Sequence, residues 1–352
     1  MTDKTTRRDF LRRSGLTGGV LLTLPAAATL LAACGDDEGA TSATEGSSVT
    51  GELTPVAFQL GWTKLAQFGG HFMALDNGYF EQEGIAADFM SGGPGIDPVA
   101  DVASGASLLG DTDGSGIVLA RQAGIPVKAF AAIFQKSPFA VMSAASEPIN
   151  TLSDMVGKTI GIPDGYRPQL TAMLEIEGID PSDVEMVPVG FDPAVLSTGQ
   201  VQGYMGYATS QGVALRKSGF DLNIVFNSDL GDRGYGNAFF ALEDTLTEKS
   251  DLLARWLRAD LRGWQVAVSD PVMMATRVHE LYGAETGADL DAEIASAEAQ
   301  VELIEGNSNG LLWIDEDVFA ATAALALAAG AVTEEISPSD LMTPDILQAA
   351  TA

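Results

Sequence analysis

Between positions 55 and 242, short apolar runs of strand length alternate with segments of helical period, and the alternation occurs twice in succession. This alternation limits the possible folds tightly, because strand, helix and strand in repeated order build a sheet of mostly parallel strands covered by helices. In the first run, 55–62, 85–90, 108–110 and 126–134 read as strands. Segments 69–77, 97–103 and 116–123 read as the helices between them, the last opened by a Ser115 cap. In the second run the strands are 158–162, 184–189, 201–207 and 222–227, the helices 167–177, 194–198 and 210–218, with 237–242 a further apolar run. From 252 onward the composition is helical, over 252–269, 271–282, 290–304 and 315–329, where Gly330 supplies a stop. The fold class that follows is α/β with two lobes, each a mostly parallel sheet flanked by helices. The chain is expected to enter lobe 2 near Ala144 and return near Ala241, so lobe 1 is 53–143 with 242–352 and lobe 2 is 144–241. Two crossings make a hinge, and a ligand beyond the carboxyl ends of both sets of strands would lie in a cleft able to close.

Ahead of this body stands Thr6-Arg7-Arg8-Asp9-Phe10-Leu11, then an apolar stretch interrupted by glycines and Pro25 that stops at Leu31-Ala32-Ala33-Cys34. Paired arginines before an apolar segment predict twin-arginine export. The stop resembles a lipoprotein cleavage site with Cys34 acylated; a permanent transmembrane helix is the competing reading. We therefore expect a signal peptide over 1–33, a flexible tether over 34–52 and an extracytoplasmic protein lipid-anchored to the cell membrane. Cys34 is the only cysteine, so no disulfide can form within the chain.

The formal net charge is −29, and because the leader is basic the remainder is more acidic still. Such a surface repels polyphosphate, which excludes a nucleic-acid partner. Catalysis finds no footing either. His71 and His279 are the only histidines, neither has a neighbour at metal-ligand spacing, and no Gly-x-Ser-x-Gly elbow occurs. No metal and no cofactor are expected, and the chain is not expected to be an enzyme.

Leu60-Gly61-Trp62 and the run Gly69-Gly70-His71-Phe72-Met73-Ala74-Leu75-Asp76-Asn77-Gly78-Tyr79-Phe80-Glu81-Gln82-Glu83-Gly84-Ile85 resemble the opening of NMT1/THI5-like and SsuA-type substrate-binding proteins. Gly92-Gly93-Pro94, residues 120–127, residues 152–162 and Gly199-Gln200-Val201-Gln202-Gly203 fall in the family's order. The resemblance implies a type II periplasmic-binding-protein fold, a monomer, and delivery of a small-molecule ligand to an ABC permease. A thiamine-precursor pyrimidine or a related heteroaromatic such as a flavin is the first expectation. A nitrate, sulfonate or taurine binder is the alternative, and a pyrimidine synthase-like enzyme, which relies on a cysteine-rich segment that this sequence lacks, is the third. The segment Thr63-Lys64-Leu65 departs from the Thr-Pro-Asn of many pyrimidine binders.

Candidate ligand residues follow from position. Trp62 ends the first strand, where its ring could stack on a flat ligand; a core tryptophan is the equal alternative. Asp113 and Ser115 lie between a strand and a helix, where backbone N–H groups are free, although capping alone explains a serine there. Gln135 follows the fourth strand. Tyr166 and Arg167 open a helix, Tyr204 and Tyr207 end a strand, and Tyr235 follows the loop Gly231-Asp232-Arg233-Gly234. Tyrosines suit a planar polar ligand, whereas Arg167 or Arg233 would suit an anion.

Overall fold

A computed structural model describes residues 52–163, 165–306 and 308–352. The twin-arginine leader, Cys34 and the tether up to residue 51 lie outside the described residues. Among the described residues no helix is long and apolar enough to cross a membrane.

The strands are β1 (Thr54–Gln59), β2 (Ile85–Met90), β3 (Leu109–Thr112), β4 (Val127–Ala132) and β5 (Phe139–Ala144), followed by β6 (Thr159–Ile162), β7 (Glu185–Pro188), β8 (Gly203–Tyr207), β9 (Leu222–Phe226) and β10 (Ala238–Leu242). They form two five-stranded sheets with one topology, β2-β1-β3-β10-β4 and β7-β6-β8-β5-β9. Each lobe holds a parallel trio, β2-β1-β3 or β7-β6-β8, and beside it one antiparallel strand. That strand is β10 in the first sheet, paired with β3 and β4, and β5 in the second, paired with β8 and β9.

Four of the five strands in each sheet run the same way, so the sheets are mostly parallel as expected, each with one reversed strand. One expectation is corrected by this pairing: the crossings come early, between Ala132 and Phe139 and between Phe226 and Ala238, not at 144 and 241. One cause explains both the reversed strand and the early crossing. The chain leaves each parallel set at the cleft edge and arrives at the other lobe's cleft edge within a short connection. A strand entered from that edge must run away from the cleft, against its neighbours, because only a long crossover returns a chain to the far side.

The core of the first lobe is aromatic. Phe58 stacks on Trp256 at 5.2 Å between centroids and 5° between planes, with Phe89 and Phe239 packed around them. The Gly69-Gly70 pair serves close helix packing here. A Cβ on Gly70 would lie 2.1 Å from the Trp264 ring, and one on Gly263 would lie 2.1 Å from the Gly70 carbonyl oxygen. Helix Gly69–Asp76 therefore lies directly against helix Ser250–Ser269. His71 is fully buried behind them, its Nδ1 2.6 Å from Asp260 Oδ1, while Trp264 Nε1 donates to Asp260 Oδ2 at 3.1 Å.

C-terminal helices touch both lobes. Helix Glu316–Ala328 sets Phe319, Ala323 and Ala326 into first-lobe packing around Val127 and Phe240, and Leu325 into second-lobe packing around Val141 and Leu170. Asp289, just before helix Leu290–Ile304, forms an ion pair with Lys217 of the second lobe.

Candidate functional site

The cleft-side ends of the two sheets enclose a cavity of about 530 Å³. Its size falls within the range of small-molecule sites. The first lobe contributes Trp62, Gln67, Ile96, Asp111, Thr112, Asp113 and Asn237; the second contributes Phe139, Val189, Phe191, Tyr204, Tyr207, Ser210 and Gln211, among others.

On the first lobe a hydrogen-bonded network fixes the wall. Asp111, at the end of β3, is fully buried and accepts from Gly61 N at 2.7 Å and from the Asn237 side-chain amide. Gln67 Nε2 donates to Asn237 Oδ1 at 2.9 Å. Asn237 has a φ of 57°, a left-handed conformation that asparagine tolerates better than most residues, and its side chain joins Gln67 to Asp111. Burial pushes the Asp111 carboxyl up to about 6, against the opposing pull of the Asn237 and Gly61 donors.

Trp62 is held through its backbone. Gly61 is fastened by Asp111, and Gly92 N donates to Trp62 O at 2.9 Å. A Cβ on Gly92 would lie 2.1 Å from Leu60 O, so only glycine lets that loop pass. The glycine motif at 92–93 therefore seats the tryptophan.

Asp113 occupies the N-cap position of helix Gly114–Gln122 but makes no side-chain cap bond. Its Oδ1 instead accepts from Tyr207 OH across the cleft at 3.1 Å, joining the lobes. The first helical N–H is satisfied by Tyr235 O, 2.9 Å from Gly114 N. Desolvation among the surrounding protein atoms raises the Asp113 pKa, opposed by the Tyr207 bond, although the residue keeps surface open to the cleft. Burial and the facing Asp113 raise Tyr207 well above the ordinary phenol value.

The second-lobe wall carries rings and no charge among its described residues. Tyr204 ends with its hydroxyl on Gly190 O at 2.8 Å, and burial raises its pKa to about 12. A π-helical turn, Ala208–Gly212, carries Ser210 and Gln211 to the wall, and Gln211 Oε1 accepts from Tyr207 N at 2.8 Å.

Of the nine candidates, Trp62, Asp113, Tyr204 and Tyr207 line this cavity, and the other five do not. Ser115 lies inside the first helical turn, because the helix begins at Gly114. Gln135 donates to Ala132 O and Trp313 O, and its backbone N–H to Leu303 O, so it braces the first crossing. Tyr166 donates to Asp232 Oδ2 at 2.5 Å and accepts from Asn227 Nδ2 at 2.6 Å, which ties the second lobe to the second crossing. Arg167 donates to Met186 O at 2.6 Å on strand β7. Tyr235 is 5% exposed and packs against Phe319. Asp111, Asn237 and Phe191 line the cavity without having been among the nine. A polar residue ending or opening a buried apolar run was the signal for the first two, and an aromatic in the loop after a cleft-directed strand for the third.

A family profile described as NMT1/THI5 like matches residues 65–273, more than half of the chain. The chain is 27% identical over 225 residues to the riboflavin-binding protein RibY of Chloroflexus aurantiacus, covering 62% of this chain and 64% of RibY. It is 29% identical over 224 residues to the formylaminopyrimidine-binding protein of Halalkalibacterium halodurans, covering 62% of this chain and 68% of that one. The alignments thus span about two thirds of these relatives. Among solved structures, the periplasmic sulfonate-binding protein SsuA of Methylobacillus flagellatus superposes with a TM-score of 0.62 at 17% identity, over 85% of this chain and 94% of that one. That likeness concerns the fold alone.

Proposed function

The chain belongs to the NMT1/THI5-like family, and from that premise we propose that it is the extracytoplasmic solute-binding component of an ABC importer for a planar heteroaromatic bearing hydrogen-bond donors. A thiamine-precursor pyrimidine or a flavin fits this description. One observation carries the reading: the charged groups in the cavity wall, among the described residues, are Asp111 and Asp113, and no Lys, Arg or His accompanies them. A carboxylate accepts from ring amino groups and repels nitrate, sulfonate and taurine. Arg167 and Arg233, which an anion site would use, are absent from the wall. The names of the two relatives, a riboflavin binder and a formylaminopyrimidine binder, agree with a heteroaromatic ligand.

The protein acts by capture and release and not by catalysis, works as a monomer, and hands its ligand to a membrane permease. The Cys34 lipid holds it beside that partner. Isothermal titration of the purified protein with riboflavin, 4-amino-5-hydroxymethyl-2-methylpyrimidine and taurine tests the ligand class. Micromolar or tighter binding of one of the first two, with none of taurine, is expected; binding of taurine alone overturns the reading. Mass spectrometry of the membrane fraction should find acyl chains on Cys34, and Cys34→Ser should release the protein from that fraction.

A further inference from the structure

Phe191 is the one aromatic side chain among the described residues that the fold leaves largely exposed, at 60%. Burying a ring of that size is worth about 2 kcal/mol or more, and the surrounding loop does not do it, although the loop is well fastened. Val189 N donates to Ile162 O at 2.9 Å, Gly190 O accepts from Tyr204 OH, and Asp192 Oδ1 accepts from Ala194 N at 2.9 Å. The backbone is thus pinned on both sides of a side chain that stays outside, in the cavity wall. What Phe191 does touch lies on the other lobe: its ring meets Trp62 at 4.8 Å between centroids and 57° between planes.

We infer that Phe191 is a specificity-determining ligand residue, the second-lobe jaw of an aromatic clamp whose first-lobe jaw is Trp62. This rests on the heteroaromatic reading of the cavity. The two rings meet across the cleft at 4.8 Å between centroids. A planar ligand between them needs centroids about 7 Å apart, two layers at van der Waals distance, so a modest opening of the lobes admits it and closure covers both of its faces. One ring contact is exchanged for two, which a flat ring system achieves and a tetrahedral sulfonate does not. The clamp thus selects for flatness, a property separate from the charge preference set by Asp111 and Asp113.

Phe191→Ala, Phe191→Leu and Phe191→Tyr, each checked for an unchanged thermal midpoint, are titrated with riboflavin and with 4-amino-5-hydroxymethyl-2-methylpyrimidine, following heat and tryptophan emission. Wild type should show quenched tryptophan emission on binding. Phe191→Ala should weaken riboflavin about tenfold and the single-ring pyrimidine by less. Phe191→Tyr should stay within twofold of wild type, and Phe191→Leu should fail to restore affinity. Affinity of Phe191→Ala within twofold of wild type, or full rescue by leucine, overturns the clamp while leaving the heteroaromatic reading intact. If wild type binds neither compound, the reading and the clamp fall together, and that result is visible before any variant is made.

Discussion

The two walls of the cleft are built on one topology and do different chemistry. The first lobe presents both carboxylates, and it fixes Asp111 with donors from Gly61 and Asn237 before any ligand arrives. The second presents Phe139, Phe191, Tyr204 and Tyr207 without a charge among its described residues. The difference teaches how a two-lobed binder can divide its task. Electrostatic recognition needs pre-arranged groups at low dielectric, which a buried strand end supplies. Shape recognition by rings needs only that they reach the faces of the ligand, which an uncharged aromatic wall supplies.

The division is most exposed to the variant Asp113→Asn, at the carboxylate that keeps surface open to the cleft. One charge-assisted bond contributes about 1.5–3 kcal/mol, so affinity for an aminopyrimidine should fall by about tenfold to a hundredfold while taurine becomes less disfavoured. Unchanged affinity in titration would mean that the second lobe alone recognises the ligand.

A second test uses pH. Asp111 titrates in the folded protein at about 6 against 3.8. Because the folded pKa is the higher one, ionising this group opposes folding. The cost is complete above about pH 6, is relieved as pH falls through that value, and is gone below the unfolded pKa. Asp111→Asn carries no such cost. From pH 4 to pH 7.5 the stability of the variant relative to wild type should therefore shift in its favour by about 2.4 kcal/mol, read from urea unfolding at both pH values. A difference that does not change with pH would show a hydrated Asp111 and a first wall that is not held dry.

Smaller effects sharpen the contrast between cleft and hinge. Tyr207→Phe removes the bond to Asp113 that joins the lobes. A loss of about 1 kcal/mol, near fivefold in affinity, is expected, together with a more open average shape in small-angle scattering. Arg167→Gln should change affinity by less than about twofold, since that side chain serves Met186 O and not the cavity. A tenfold loss there would return the anion reading to consideration.

Apart from β5 over 139–144, which is not among the expected strands, the order of elements was legible because strand and helix periods differ and glycines mark the stops. The side of the crossing on which a strand lies was not. Segments 139–144 and 238–242 are as apolar as the strands before them, and only their partners, β8 and β9 or β3 and β4, assign them to a sheet. The site divides in the same way. Trp62, Asp113, Tyr204 and Tyr207 were found because position at a strand end aims a side chain at the cleft. Gln135 and Tyr166 satisfy the same rule, yet their bonds to Ala132, Trp313, Asp232 and Asn227 turn them into hinge braces, and those partners are remote in sequence. Asp113 was legible as a position and not as a role, since the bond that defines it comes from Tyr207 on the opposite lobe.

The antiparallel strand in each sheet bears on the timing of assembly. β3 and β4 share no hydrogen-bonded edge, because β10 fills the gap between them. β4 therefore has no place in its sheet until a segment about a hundred residues further along the chain has been synthesised. A ribosome that has released the first 237 residues has made every strand of the second sheet and left the first with two unsatisfied edges facing one another. Completion of the earlier lobe waits on the later one, and a chain stopped short of Leu242 exposes that opening to whatever backbone is nearby.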